Sequence, residues 1–343
     1  MAELRMHRVR YGIRIPSVWV ALAVLALSTL SARAQNCQTS GDIDDATRAA
    51  ITAAAQRYFD AAAKGDTASL RQNAVASIIA DFSAIENTIK GHQANLAGAQ
   101  TTVRAVFQLE LEGAATVPRS EFYCGVFGKT GQTSGSAVFY LDNLAPGRYG
   151  VVILDAASPQ ARTYFSVILQ QTGTDWKLGG LYVKPAQVAG HDGDWFLARA
   201  REYKTKGQLH NSWLFYVQAR SLISPLPFMS TLATDKLYDE ARSLQLSDVP
   251  SNGETTDLAA GTATYKLTAL FPEAAGNDLD LIVKYQTPDV SNSNQCYQSN
   301  VAVIKALVAK HPEVREAFAA VVARAVDPSG RDYGTLLTMK DVK

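Results

Sequence analysis

Hydrophobic and polar positions change their period along this chain, and each change predicts a change of structure. From Ala46 to Lys64 the apolar groups Ile51, Ala54, Ala55, Tyr58, Phe59 and Ala62 share one side of a 3.6-residue repeat, the spacing of an amphipathic helix. Gly65 ends that run, and Asp66 is placed to cap a second short helix. Asp81 precedes a further helical face of Phe82, Ile85 and Ile89. From Val103 the period drops to two, with Val103, Ala105, Phe107, Leu109 and Leu111 alternating with Arg104, Gln108, Glu110 and Glu112. Strand-like runs follow at 121–127, 136–141, 149–155, 163–171 and 176–183, with turns at Asn143-Leu144-Ala145-Pro146-Gly147 and Gly173-Thr174-Asp175. Helices first and an antiparallel meander after predict an α+β domain, its helices on one face of a curved sheet.

The pattern breaks at His191-Asp192-Gly193-Asp194 and becomes helical again, until Pro225 and Pro227 close it. The stretch 247–262 (SDVPSNGETTDLAAGT) reads as a linker. Beyond it Ala263, Tyr265, Leu267, Ala269 and Phe271 alternate with Thr264, Lys266 and Thr268, and Leu279, Leu281, Val283 and Tyr285 repeat the pattern. These predict a hairpin turning over Pro272–Asn277. A helix follows from near Asn300, interrupted at Pro312, and then strands at Val321–Val326 and Tyr333–Met339 flank the Asp327-Pro328-Ser329-Gly330 turn. The end of the chain thus reads as a small ββαββ-like unit.

Two motifs in the first of these regions resemble a known family. Tyr58-Phe59-Asp60-Ala61-Ala62-Ala63-Lys64-Gly65-Asp66 resembles the first-helix signature of nuclear-transport-factor-2-like (cystatin-like cone) domains, and Thr174-Asp175-Trp176-Lys177-Leu178-Gly179-Gly180-Leu181-Tyr182-Val183 resembles their closing strand. Together they bracket 44–186. The resemblance implies a cone-like fold with an interior pocket but no single activity, because that fold hosts enzymes, binders and assembly modules alike. Tyr203, Gly207, Leu209, Ser212, Tyr216, Ala219 and Pro225 likewise resemble one tetratricopeptide repeat. A solenoid needs at least three such units to cover its faces, so this one reads as a helical hairpin between domains.

The first residues alter the picture of where the chain works. Arg5, Arg8, Arg10 and Arg14 precede the uncharged run Val18–Leu30, and Ala32-Arg33-Ala34 supplies the small residues of a cleavage site between Ala34 and Gln35. That run is short for a permanent span, which needs about 20 apolar residues. An export signal is expected, and with it a periplasmic or extracellular protein without stable membrane insertion. The whole chain carries +1; its first 34 residues hold five Arg and one Glu, or +4, so the remainder is near −3. Such a charge gives no long-range attraction for nucleic acid. Export makes a disulfide feasible among Cys37, Cys124 and Cys296. Any of the three pairings satisfies the count. Cys37–Cys124 is favoured because the leader 35–43 can reach back to a nearby sheet, and three buried thiols form the alternative.

The search for chemistry excludes more than it finds. Gly128-Lys129-Thr130 ends like a phosphate loop, yet the required preceding Gly is Tyr123 and the tripeptide joins two strands, so it reads as a hairpin turn. His92, His191, His210 and His311 show no zinc-ligand spacing and no H-E-x-x-H. His191-Asp192-Gly193-Asp194 falls short of the six to eight oxygens of a calcium site. His311, before Pro312, reads as a helix-end residue favoured by the dipole. No G-x-S-x-G elbow is present, and Ser134 has the wrong glycine spacing. Cys124 lies with Phe122 and Val126 on a buried face, and Asp278 and Asp280 read as solvated hairpin carboxylates. Tyr58, Asp60, Tyr123, Tyr140 and Tyr182 are the polar groups available to a cone pocket, where tyrosines serve more often as lining than as catalysts. Arg199, Arg201, Lys204 and Lys206 make a basic face, read as solvated or as a seat for an acidic partner.

The sequence therefore predicts an α+β chain divided into an export signal 1–34, a leader 35–43, a nuclear-transport-factor-2-like domain 44–190, a helical hairpin 191–246, a linker 247–262 and a C-terminal α+β domain 263–343. No catalytic residue, metal ligand or cofactor is assigned, and the ligand-binding residues are left open. The expected function is non-catalytic binding of a small ligand or protein partner in the cell envelope. The alternative is a cone-fold enzyme of the cyclase, isomerase or dehydratase type.

Overall fold

The computed structural model of the chain describes residues 35–127, 131–250 and 253–343. The expected export signal with Ala34, and the Gly128-Lys129-Thr130 turn, lie outside the described residues. Ile51, Ala54, Ala55, Tyr58, Phe59 and Ala62, the apolar repeat of the sequence, are the buried side of helix α1 (Asp45–Lys64). Asp44 caps its start by accepting from the Thr47 amide, and Gly65 closes it at φ 72°, a conformation that suits a residue without Cβ. Asp66 then caps α2 (Thr67–Gln72), and α3 (Ala76–Ala80) and α4 (Ser83–Leu96) follow.

Five antiparallel strands form the first sheet in the order β1-β2-β5-β6-β7, from β1 (Gln35–Thr39), β2 (Gln100–Leu111), β5 (Gly147–Ala157), β6 (Arg162–Thr172) and β7 (Asp175–Pro185). The helices cover one face, with Phe59, Ile85, Ile89 and Leu96 packed against Val152, Phe165, Val167 and Leu178. Gly150 lets α1 approach: a Cβ there would lie 2.8 Å from Ile51 Cγ2. The opposite face is covered by β3 (Val117–Cys124), β4 (Ala137–Leu144) and, later in the chain, β10 (Met229–Thr231). Phe107, Phe122, Phe139, Tyr149, Val151 and Ile153 fill the space between these two sheets. β3 begins four residues before the apolar run suggests, because Pro118 is tolerated on an edge strand.

A short β8–β9 ladder (Gln187–Val188, His191–Asp192) leads to the hairpin α5 (Gly193–Thr205) and α6 (Leu209–Ile223). Gly193 faces Ile223 and the Ala219 carbonyl, and Ser212 Oγ donates to Ala200 O at 2.8 Å. Helix α7 (Leu232–Arg242), which the apolar pattern does not announce, starts at a capping box of Thr231 and Thr234. The last sheet has the order β11-β12-β13-β14-β15, from β11 (Thr256–Ala260), β12 (Ala263–Ala275), β13 (Asp278–Gln286), β14 (Ala320–Val326) and β15 (Asp332–Thr338). β11 occupies the stretch read as a linker. β12 runs on through Pro272, beyond the reach of β11, which pairs only as far as Leu267, so the missing amide donor falls on an open edge. The crossover α8 (Ser293–Lys310) starts earlier than the apolar pattern suggests because Asn292 caps it; α9 (Val314–Ala317) follows Pro312, and β13 and β14 pair in parallel.

The described chain is thus a mixed α+β protein. Among its described residues no helix is long and apolar enough to cross a membrane. One apolar core joins the hairpin to the last sheet, with Phe196, Tyr203 and Phe215 in the same cluster as Leu281, Ile304 and Val321. Within that last unit Tyr285 donates to Asn300 Oδ1 at 2.8 Å, and Asn300 Nδ2 donates to Thr335 Oγ1 at 2.9 Å, so the buried amide is satisfied.

Candidate functional site

The residues first considered for chemistry are dispersed. Tyr58 is buried on the helical side, where its hydroxyl lies 2.9 Å from Asn73 O and 3.0 Å from Trp176 O, a latch between α1 and the closing strand β7. Asp60 accepts from Gln56 on the surface of α1. Tyr123 and Tyr140 are exposed on the outer sheet, the first donating to Glu121 at 2.7 Å and the second lying under Arg119. Tyr182 packs edge-on against Phe228. No two of these tyrosines share a reaction centre.

Other expectations change with tertiary contacts. Asp280 is not solvated: it lies on the central strand β13, 7% exposed, opposite Glu273, and burial raises its carboxyl above the ordinary range. Asp278, at the strand end, is exposed. Three of the four basic groups on α5 are already matched from within, and the fourth, Lys204, donates to Ser243 Oγ at 3.2 Å. Arg201 makes two hydrogen bonds to Glu240, at 3.0 and 2.7 Å, Arg199 pairs with Glu202, and Lys206 bridges Glu202 and Glu316. Asp192 caps α5 while His191 stacks on Trp195 at 3.7 Å. Cys37 and Cys124 are joined, their Cα atoms 4.8 Å apart, which ties the edge strand β1 to β3; Cys296 is free and buried.

Charge balance separates three cavities. One of about 440 Å³ lies beside Tyr58 and sets Arg57, Lys64 and Lys177 against Asp60, Asp66 and Asp175. A second, of about 390 Å³ at the start of α5, sets Arg104, Arg162, Arg201 and Lys236 against Asp192, Asp194 and Glu240. The third, about 860 Å³ between α6, α7 and β12, differs. Its charged lining residues are Lys184, Arg220 and Arg242, and no carboxylate is among its described lining residues. None of the three cations forms an ion pair with a described residue.

Each cation is placed by its element. Lys184 comes from the end of β7, and its ammonium donates to Ser224 O at 2.8 Å where α6 gives out. Burial, and then the charge of Arg220, push the Lys184 ammonium below its usual range. Arg220, on the last turn of α6, lies over the Tyr238 ring of α7 at 5.5 Å. The rest of the wall mixes apolar and aromatic groups, including Trp213, Leu237, Val249 and Phe271, with the uncharged polar side chains of Ser221, Gln245 and Thr268. The Tyr216 hydroxyl is pushed up to about 12 by burial and by Glu240 beside it, so it stays a neutral donor. The arrangement suits a ligand with an anionic end and an apolar body.

Sequence reasoning misses this cavity because its parts come from 184, 213–224, 237–250 and 268–271. The Thr231–Thr234 cap and Lys184 at the end of a mainly apolar strand were the available signals. No protein-family model, curated protein or solved structure matches this chain.

Proposed function

We propose that this is an exported, non-catalytic binding protein whose ligand is a small anionic amphiphile held in the cavity between α6, α7 and β12. The observation that carries the reading is a cavity of about 860 Å³ whose charged lining is three cations, none ion-paired with a described residue, beside apolar, aromatic and uncharged polar side chains, a volume in the range of small-molecule sites. Lys184 and Arg220 work against each other, and a carboxylate or phosphate between them is attracted by both. A charge pair at about 4 Å is worth roughly 4 kcal/mol at an effective dielectric of 20 before desolvation, which leaves about tenfold in affinity per cation. The dispersal of Tyr58, Tyr123, Tyr140 and Tyr182 favours binding over cone-fold catalysis. In this reading the nuclear-transport-factor-2-like, cone-like first half is scaffold: its outer face is packed with side chains, and it carries Lys184 at the end of its closing strand. The Cys37–Cys124 bond supports an oxidising, extracytoplasmic workplace.

Decanoate titrated into the purified protein, followed by Trp213 emission with Trp213→Phe as control, tests the reading. Decanoate should bind at least tenfold more tightly than decanol. Lys184→Met and Arg220→Met should each remove about tenfold of the decanoate affinity and leave decanol unchanged. Equal affinity for acid and alcohol, or no binding below millimolar, would refute it.

A further inference from the structure

A second polar cluster lies apart from that cavity, at the joint between the helical hairpin and the last sheet unit. His210 stands in the first turn of α6, Asp248 in the segment after α7, Lys310 and His311 at the end of α8, and Glu313 just before α9. The imidazole rings of His210 and His311 lie 3.7 Å apart between centroids. His210 Nδ1 is 3.0 Å from Glu313 Oε1, and its Nε2 is 2.9 Å from Asp248 Oδ1. Asp248 is also held by Lys310, at 2.9 Å, and faces His311 Nε2 at 3.5 Å. Asn211, next to His210, donates to the Glu313 carbonyl at 2.7 Å while its own Oδ1 is buried without a partner among the described residues.

The donor count shows what this arrangement is suited to. A neutral imidazole has one N–H and one lone pair, so it can donate to only one of two carboxylates. His210 has a carboxylate at both nitrogens. One of the two contacts therefore requires something between nitrogen and carboxylate oxygen, either a further proton or a metal ion. Asp248 already has the Lys310 ammonium. Glu313, by contrast, forms no ion pair with a described residue other than His210. The ligand atoms of His210, His311 and Glu313 all lie within 4.8 Å of one another. A tetrahedral zinc ion with bonds of about 2.1 Å holds its ligands about 3.4 Å apart, so small side-chain rotations close the set.

From this geometry we infer that His210, His311 and Glu313 bind one divalent transition-metal ion, zinc by preference, with Asp248 orienting His210 from behind. Two imidazoles and one carboxylate are borderline ligands that suit zinc and its neighbours, and they supply too few oxygens for calcium or magnesium. A carboxylate accepting the far N–H of a ligating histidine is the usual support for such a ring. The site is reachable, since the side chains of His210, Glu313 and Asp248 are 16%, 21% and 30% exposed. Three protein ligands leave a fourth position for water or a ligand donor. Because its ligands come from the start of α6 and the junction between α8 and α9, the ion would clasp the hairpin to the last sheet unit.

The test uses the disulfide-intact protein, made without a polyhistidine tag and stripped with chelator. Zinc chloride titrated by calorimetry should bind once per chain with micromolar or tighter affinity. His311→Gln and Glu313→Gln should each weaken binding at least 100-fold, and Asp248→Asn about 10- to 100-fold, as expected for an outer support. Cobalt added to the unaltered protein should give the intense visible absorption of four-coordinate Co(II), a readout that needs no variant to fold. Absence of saturable one-to-one binding at 100 μM zinc, absence of the cobalt band, or full affinity in both His311→Gln and Glu313→Gln would overturn the assignment.

Discussion

Breaking the Cys37–Cys124 bond should lower the melting temperature by an amount that reports the size of the cooperative unit. The bond spans 87 residues of chain, and a closed loop of that length removes enough entropy from the unfolded chain to stabilise the fold by roughly 4–5 kcal/mol. Cys37 lies half-buried on the edge strand β1, which pairs with β2 over Gln35–Thr39, whereas Cys124 is fully buried and can remain as a small apolar thiol. Cys37→Ala therefore isolates the cross-link with little change in packing. Gln35–Lys343 form one compact unit. With an unfolding entropy of about 2.1 cal/mol/K per residue, a unit of roughly 300 residues converts the loss into about 7 °C, and one of roughly 150 residues into about 14 °C.

The assay is scanning calorimetry of the oxidised protein, the oxidised protein with reductant, and Cys37→Ala. A single transition falling by about 7 °C in both altered samples is expected. Thiol titration in denaturant should find one free thiol per chain before reduction, that of Cys296, and three after. Three free thiols in the oxidised protein, or a shift under 2 °C, would refute the reasoning. A drop near 14 °C confined to a first transition would show that the part containing β1–β7 unfolds apart from the rest.

Two further substitutions probe packing and buried charge. Gly193→Ala places a Cβ 2.5 Å from Ile223 Cγ1 and 3.2 Å from the Ala219 carbonyl; the overpacking should outweigh the helix propensity of Ala and destabilise by about 1–2 kcal/mol, read as a lower urea midpoint at unchanged m. Asp280 has a folded-state carboxyl raised first by burial and then by Asp278 and Glu273. A raised acid favours the folded state when protonated, so its contribution is fully present below the unfolded carboxylate range and is lost as pH rises through the folded value. Asp280→Asn, which can keep the acceptor for the Ala320 amide, should therefore stabilise the protein at pH 7 and lose that advantage below about pH 4; equal gain at both pH values would contradict it.

What could be read from the sequence follows the range of the forces involved. The repeat of Ile51, Ala54, Tyr58 and Phe59, and the alternation of β2, β12 and β13, are local solutions to burying one face, so their period survives in the string of residues. Gly65 and Asp66 are equally local. Asp280 misled because its exposure depends on which strand lies beside it: the crossover α8 brings β14 onto β13 and turns a hairpin strand into a central one. Helix α7 escaped because it carries few buried residues, only Thr234 and Leu237, and gains its place through α6 and β10 instead. A two-residue apolar signal is too small to stand above the background.

The two sites share a further property that explains why neither has a motif. In each, the charged groups are positioned by the ends of elements rather than by the interior of one: Lys184 closes β7, Arg220 and Arg242 end α6 and α7, His210 opens α6, and Lys310 ends α8. Helix C-termini favour cations, so Arg220, Arg242 and Lys310 are each locally ordinary residues. What makes the first set unusual is that three cations line one cavity with no carboxylate among its described lining residues, and what makes the second unusual is that one imidazole meets two carboxylates. Both are relations across tens of residues. Both also involve α6, whose last turn carries Arg220 and whose first turn carries His210, about 15 Å apart along a helix rising 1.5 Å per residue. A rigid helix clasped by a metal at one end would hold Arg220, the arginine proposed to meet the anion, in a fixed place at the other, so zinc should tighten decanoate binding in the unaltered protein. It should have no such effect in Glu313→Gln, and a zinc effect that survives there would separate the two sites.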